Sequence, residues 1–311
     1  MPTIHSYIGL AIVLPVSVFG IFGNFMVIIA VRRYKDLRTK HGSLISFLCF
    51  YQSVGLLGEV INSISSLFQE ITDRSTCFYS LLPLSFIYNM QLLLMLTISL
   101  DLVFLTYRPT KYHTVHLFPY AILIQLPCFL LSSALSVASI PFIDRSTIVF
   151  CDIAEAYPKA TAKLWNFSTI LVGVGVLAIY ALVMFEMWLR DLKNVRKSEG
   201  VCKLDPSMRY QRKMIRTVSV MTTAFLCTGF ASSLLVLVTD VIPCLQRIYA
   251  PYIKFYTMKI GLLSCAQNFY IYFTMSKDYQ KAFKKIIQGW WSCKFDRFKS
   301  STQAFTITNG H

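Results

Sequence analysis

The amino-acid sequence predicts an all-α membrane protein: a bundle of seven transmembrane helices followed by a C-terminal amphipathic interfacial helix. Three observations carry that prediction. The 311 residues are 55% hydrophobic and only 14% charged, against about 25% charged in soluble domains. Seven apolar runs each reach the ~20 residues a helix needs to cross a bilayer. Lys and Arg alternate between sparse and dense from one connecting segment to the next. The bilayer core holds no water, so the backbone of such a run must satisfy its own hydrogen bonds, and a helix does so.

The runs are Tyr7–Val31, Ser43–Leu67, Phe78–Leu105, Phe118–Ile140, Leu164–Trp188, Thr217–Val238 and Pro251–Phe273. The first 31 residues carry no Asp, Glu, Lys or Arg. They lack a basic n-region and exceed an h-region in length, so they read as a first span that also targets the chain. The third run begins after Cys77 and meets its first charge at Asp101. The 24 steps between those residues cover roughly 36 Å of helix, slightly more than the apolar thickness of a bilayer. Cys77 and Asp101 are therefore expected at opposite faces.

Five, two, nine and seven of the 30 basic residues follow spans one, three, five and seven. The positive-inside rule then places the N-terminus outside and the C-terminus inside. The same distribution explains the net charge of +15 without nucleic acid, because the basic residues form no patch interleaved with exposed aromatics. No internal repeat is visible, which counts against many transporters.

Beyond span seven, Tyr279, Phe283, Ile286, Ile287 and Trp290 share one helical face, with lysines on the other. That pattern predicts an interfacial helix over 277–291 on the inner leaflet, where lysines near anionic lipid contribute about 1 kcal/mol each. Residues 1–291 read as one transmembrane domain, and the polar tail 292–311 as disordered. Cys293 stands where palmitoylation would occur; a free cysteine is the other reading.

The nine cysteines form no CxxC pair and no zinc-spaced group with histidine. No metal site, cofactor, phosphate loop or nucleophile–base arrangement is readable, so no enzyme is expected. Cys77 and Cys151 fall in segments placed outside, where the environment is oxidising. They read as a disulfide, with two free thiols as the alternative. Charges within a membrane are costly and point to function. Two stand in outer halves of spans, Glu59 in span two and Lys259 in span seven; they are expected to pair or to face a cavity. Snorkelling to the interface is the alternative. By its residues alone, Asp101 near Arg108 and Lys111 is a solvated or ion-paired helix end. Asn268 reads as an interhelical hydrogen-bonding group, such bonds being worth about 0.6–2 kcal/mol in membranes. Asn166-Phe167-Ser168 is a sequon by letter, but it lies too near the bilayer for a sugar to be expected.

Taken together, these features resemble a rhodopsin-like G-protein-coupled receptor. Gly23-Asn24 resembles the first-helix motif, and Cys77 and Cys151 the outer disulfide. Asp101, Pro109 and Tyr112 match the Asp-Arg-Tyr box and its following Pro and Tyr. Asn268 and Tyr272 resemble the ends of the Asn-Pro-x-x-Tyr motif. More narrowly, Gln267-Asn268-Phe269-Tyr270-Ile271-Tyr272 with Ser276-Lys277-Asp278-Tyr279-Gln280-Lys281-Ala282-Phe283 resembles the nematode serpentine chemoreceptors of class SX. Phe269 and Gly229-Phe230 stand where the wider family has a proline and Trp-x-Pro.

The resemblance implies a small ligand in the outer half of the bundle, contacted by Glu59, Leu84, Ser85, Tyr88, Asn89 and Lys259. It implies a heterotrimeric G protein at Asp101, Leu102, Pro109, Tyr112, Asn268 and Tyr272, and a plasma-membrane location, including sensory-neuron cilia. Three departures refine this. Leu102 replaces the Arg of the box and can neither pair with Asp101 nor donate a hydrogen bond. Gln52 stands where span two usually carries a sodium-binding Asp. Leu84 replaces the acid that amine receptors use, which favours a largely apolar or weakly polar ligand. The opsin lysine position is Leu262; Lys259 lies three residues away, about 300° round the helix, so no retinal Schiff base is expected. The rival reading is a seven-helix channel subunit or transporter.

Overall fold

The computed structural model describes residues 4–68, 72–114, 116–197, 217, 220–221, 223–242 and 249–290. Cys293, the tail 292–311 and most of the basic stretch between Arg190 and Arg216 lie outside them. Among the described residues, five continuous helices are long and apolar enough to cross a membrane: α1 (Ile4–Arg33), α2 (Lys40–Ser65), α3 (Arg74–Tyr107), α4 (Leu117–Val137) and α5 (Lys159–Lys197). The apolar run of α5 ends near Trp188, but its helix continues through charged residues to Lys197.

The sixth and seventh spans are interrupted. A π-helical turn, Leu226–Phe230, precedes α6 (Ala231–Val241). It falls on Gly229-Phe230, so a widened turn stands at the place where the sequence lacks a proline. The seventh span, α7, comes in three pieces: Ala250–Gly261, Leu263–Ala266 and Asn268–Met275. Residues 277–290 form a further helix, α8.

Packing places α3 at the centre. Of its apolar window 56% is buried, against 17% for the α4 region. α1 meets α7 through small residues: a Cβ on Gly23 would stand 2.7 Å from Cβ of Phe269, and one on Gly20 would stand 3.0 Å from Cβ of Ala266. Small residues let helix backbones approach closely where no hydrophobic effect drives association. Asn24 fastens the same contact by donating from Nδ2 to the Cys265 carbonyl at 3.0 Å. α2 starts at Thr39, whose hydroxyl accepts from the Gly42 amide at 3.0 Å, a side-chain N-cap. Phe19, Leu123 and Leu171 are exposed, as a lipid-facing surface requires.

The apolar stripe of α8 behaves differently from a purely interfacial helix. Tyr279, Phe283 and Ile286 are buried in the bundle's main core, while Trp290 stays exposed. The Tyr279 ring lies 4.6 Å from Tyr272 and the Phe283 ring 4.7 Å from Phe269. The stripe therefore docks first on α7 and meets lipid only at its far end.

Candidate functional site

Cys77 and Cys151 form a disulfide, joining the start of α3 to the segment between α4 and α5. Thr72–Asp73 pairs antiparallel with Thr147–Ile148 beside it. The segment after Cys151 is fastened to four helices. Asn62 of α2 donates from Nδ2 to the Cys151 carbonyl at 3.0 Å. Arg74 at the start of α3 donates from Nε to the Glu155 carbonyl at 3.2 Å, and its Nη1 reaches Asp144 at 2.8 Å. Lys254 of α7 lies 3.2 Å from Glu155. Tyr157 stacks on Trp165 of α5 with ring centres 5.4 Å apart and hydrogen-bonds Ser85 of α3.

At this end the two intramembrane charges meet. Lys259 Nζ donates to Glu59 Oε2 at 2.7 Å and lies 3.5 Å from Asp152 Oδ2. All three residues are buried. Asp152 was not expected from the sequence; it enters because it follows Cys151 directly, and the disulfide holds it against α7. Its Oδ1 accepts from the Ile153 amide at 2.6 Å, capping the short helix Ile153–Ala156. Burial pushes its carboxyl above the usual carboxylate range, against the pull of Lys259; the neighbouring Glu59 charge adds to the rise. Burial likewise raises the Tyr157 phenol. Exposed Asp144 is held below the ordinary value by the Ser146 hydroxyl first and by Arg74.

Below the triad lies a cavity of about 120 Å³ between α2, α3, α5, α6 and α7. Its wall follows α2 from Glu59 through Gln52 to Leu48, about 16 Å of helix. Tyr88 and Asn89 also line it. The Tyr88 hydroxyl donates to Glu59 Oε1 at 3.3 Å, and Asn89 Oδ1 accepts from Trp165 Nε1 at 3.0 Å. Leu84, Ser85 and Lys259 stand apart from it, Lys259 reaching it only through Glu59. Leu84 lies against Gly58, and Ser85 is taken by Tyr157. Ser232, Ser233 and Ser264 line the wall as well, and the sequence had offered no signal for them beyond polarity in an apolar run.

At the other end of α3, Asp101 is buried and receives three side chains from three elements. The Tyr112 hydroxyl, in the short helix Pro109–Thr114, donates to Oδ2 at 3.2 Å. Tyr120 of α4 donates to Oδ1. His41 Nδ1 of α2 lies 3.3 Å from Oδ2. Lys40 donates to the Tyr112 carbonyl and sits 4.5 Å from the Tyr112 ring centre. Leu102 has no solvent exposure and packs on Val176 and Tyr180 of α5. Asn268 donates from Nδ2 to Gln52 Oε1 at 2.5 Å, joining α7 to α2. Tyr272 donates to Met221 Sδ at 3.7 Å. Asn166 is buried within α5. Among the described residues no group of three or more His, Cys, Asp or Glu is placed to hold a metal ion.

A family model described as serpentine type 7TM GPCR chemoreceptor Srsx matches residues 17–287. The chain belongs to this family. It is thus a multi-pass membrane receptor of the seven-helix chemoreceptor type, in a family of receptors rather than enzymes. The match runs from the middle of α1 into the last turn of α8, so the disulfide, the triad, the cavity and the Asp101 cluster all lie within the receptor's matched region. Comparison with curated proteins gave no match.

Proposed function

We propose that this receptor binds a small molecule in the cavity beneath Glu59 and Lys259 and transmits the event to a heterotrimeric G protein at the opposite end of the bundle. The disulfide end faces outward, as the basic-residue distribution indicates, and the Asp101 end faces the cytoplasm of the sensory cell. The single observation that carries this reading is the cavity itself. It touches five helices at once, including the π turn before α6 and the break after Gly261 in α7. Interrupted helices are where a bundle can change shape at low cost, and π turns gather at functional sites. A ligand that prefers one arrangement of those segments shifts the equilibrium toward it.

The Asp101 cluster supports a coupling role without the usual arginine. Three partners already satisfy its carboxylate, and Leu102 turns to α5 instead. Glu59 supports the ligand role by lining the cavity at the disulfide end, where Lys259 holds it. Residues 1–291 act as one receptor unit with α8 as its last element.

The test is a G-protein dissociation assay in cells expressing the intact chain, with a panel of volatile compounds. The wild type is expected to respond to at least one compound, and Leu92→Trp, at a residue of α3 that lines the cavity, to lose that response at equal surface expression. A silent wild type with confirmed surface expression, or a response untouched by Leu92→Trp, overturns the reading. An antibody epitope added at the N-terminus is expected to be reachable on intact cells.

A further inference from the structure

The cavity wall carries three side-chain amides, Gln52 on α2 and Asn89 and Gln91 on α3, and they differ in what they have left to give. An amide nitrogen has two protons and its oxygen two lone pairs. Asn89 Nδ2 donates to Ser136 Oγ at 3.4 Å, and its Oδ1 accepts from the Trp165 indole. Gln91 Nε2 donates to the Tyr51 carbonyl at 3.1 Å, and its Oε1 accepts from the Cys265 thiol at 3.3 Å. Each of these nitrogens has spent one proton, and both side chains are held at both ends. Gln52 is held at one end. Its Oε1 accepts from Asn268, and among the described residues nothing accepts from its Nε2. The residue is only 5% exposed, yet Nε2 is not sealed in protein, and Gln52 lines the cavity. The open N–H2 thus faces that space.

A buried donor with no partner is costly, and the membrane core supplies no bulk water to take it up. A ligand that brings an oxygen lone pair to Gln52 removes that cost. The N–H2 is the positive end of the amide, so it turns a cation away, and a hydrocarbon leaves it as it was. A carbonyl oxygen fits it, having two lone pairs and no proton of its own to place. The neighbouring wall is apolar, with Leu48 one turn further along α2 and Met95 on α3, which suits the rest of such a molecule. The cavity measures about 120 Å³, and an apolar cavity of about 150 Å³ is enough to hold benzene. The carbonyl is therefore carried by a small ring or a short chain.

We infer that Gln52 is the residue that grips the ligand's polar group, donating from Nε2 to the oxygen of a small neutral carbonyl compound such as a ketone. The inference rests on reading this cavity as the ligand site, and the probes and variants are chosen so that the two can fail separately. Cyclopentanone and methylenecyclopentane have nearly the same shape, and only the first has an oxygen. Water holds them unequally, so each is compared with itself across receptor variants rather than with the other. Gln52→Met removes the donor but strands the Asn268 amide. Gln52→Leu together with Asn268→Leu removes both partners and is the second variant, guarding against one that fails to fold.

Purified intact receptor in lipid nanodiscs is titrated with each probe, and the saturable rise in its thermal midpoint gives an apparent Kd. Cyclopentanone is expected to bind the wild type about tenfold more tightly than either Gln52 variant, the effect of roughly one lost hydrogen bond. Methylenecyclopentane is expected to bind all three alike. Gln91→Met, at the glutamine already held at both ends, is expected to cost cyclopentanone less than Gln52→Met does. In the wild type itself, the infrared carbonyl stretch of bound isotope-labelled cyclopentanone is expected at lower frequency than in an alkane solvent. Leu92→Trp and Thr169→Phe, both on the cavity wall, are each expected to abolish binding of both probes. An unshifted carbonyl band, or Gln52 variants that change the two probes equally or not at all, overturns the role of Gln52 while the ligand site stands. A larger loss at Gln91→Met than at Gln52→Met moves the donor to α3 and overturns it likewise. No saturable rise with either probe, or a rise that survives both wall variants, overturns the ligand site as well.

Discussion

Lys259 is the residue on which most of the disulfide end depends. It stands between two buried carboxylates, Glu59 at 2.7 Å and Asp152 at 3.5 Å. A buried ion pair costs desolvation, but removing one partner costs more, because it strands the other. Lys259→Met is expected to destabilise the protein by about 3–5 kcal/mol, read as a fall in the thermal midpoint of purified receptor. Adding Glu59→Gln should recover part of that loss, since one stranded anion is removed. A double variant no more stable than the single one would show that Glu59 is not the cost. Two of the three residues of this cluster were legible in the sequence, for a physical reason. Glu59 and Lys259 stand in apolar runs, where a charge without a purpose is expensive. Asp152 stands in a connecting segment, where an acid is unremarkable, and only the fold brings it to α7. The same limit hid His41 and Tyr120, whose partnership with Asp101 joins helices far apart in the chain. For Leu102 the sequence showed what was missing but not what replaced it. Its contact with Val176 and Tyr180 predicts that Leu102→Ala costs on the order of 2 kcal/mol through lost packing, again read from the thermal midpoint.

Among the elements, the seven runs were the most legible feature, because apolar length alone identifies a span. Their interruptions were not. The three-piece α7 and the π turn before α6 contain no proline at the break, so no residue announces them. The α1–α7 contact was foreshadowed by Gly23-Asn24 but not located. At that contact a Cβ on Gly23 would come within 2.7 Å of Phe269. Phe269 in turn supports α8 through Phe283. Gly23→Leu is therefore expected to push α1 off α7, with an overpacking cost of about 1–3 kcal/mol. Surface expression and thermal midpoint would both fall. A Gly23→Leu protein as stable as wild type would show that the contact opens without cost.

For the whole molecule, the segment after Cys151 ties α2, α3, α5 and α7 together at one end, and its stability should depend on pH through Asp152. Burial raises that carboxyl in the folded protein above its unfolded value of about 3.9. The folded state thus holds the proton more tightly than the unfolded chain does. By linkage, stability falls with rising pH wherever the folded state binds more protons. The contribution of Asp152 is therefore complete below the unfolded value. It is lost as the pH rises from the ordinary carboxylate range through the raised native one. Burial is the main reason protonation is favourable, and the Glu59 charge adds to it, while Lys259 pulls the other way. A neutral Asp152 leaves Lys259 in a one-to-one pair with Glu59. The thermal midpoint of the purified receptor is expected to be higher near pH 5 than near pH 7.5. Asp152→Asn, which keeps the shape and removes the titration, should flatten that difference. It should also leave the mutant at least as stable as wild type at the higher pH. An unchanged slope in Asp152→Asn would assign the pH dependence to another group. A large loss of stability at pH 7.5 would instead mean that the ionised carboxylate is held favourably by Lys259, despite its burial.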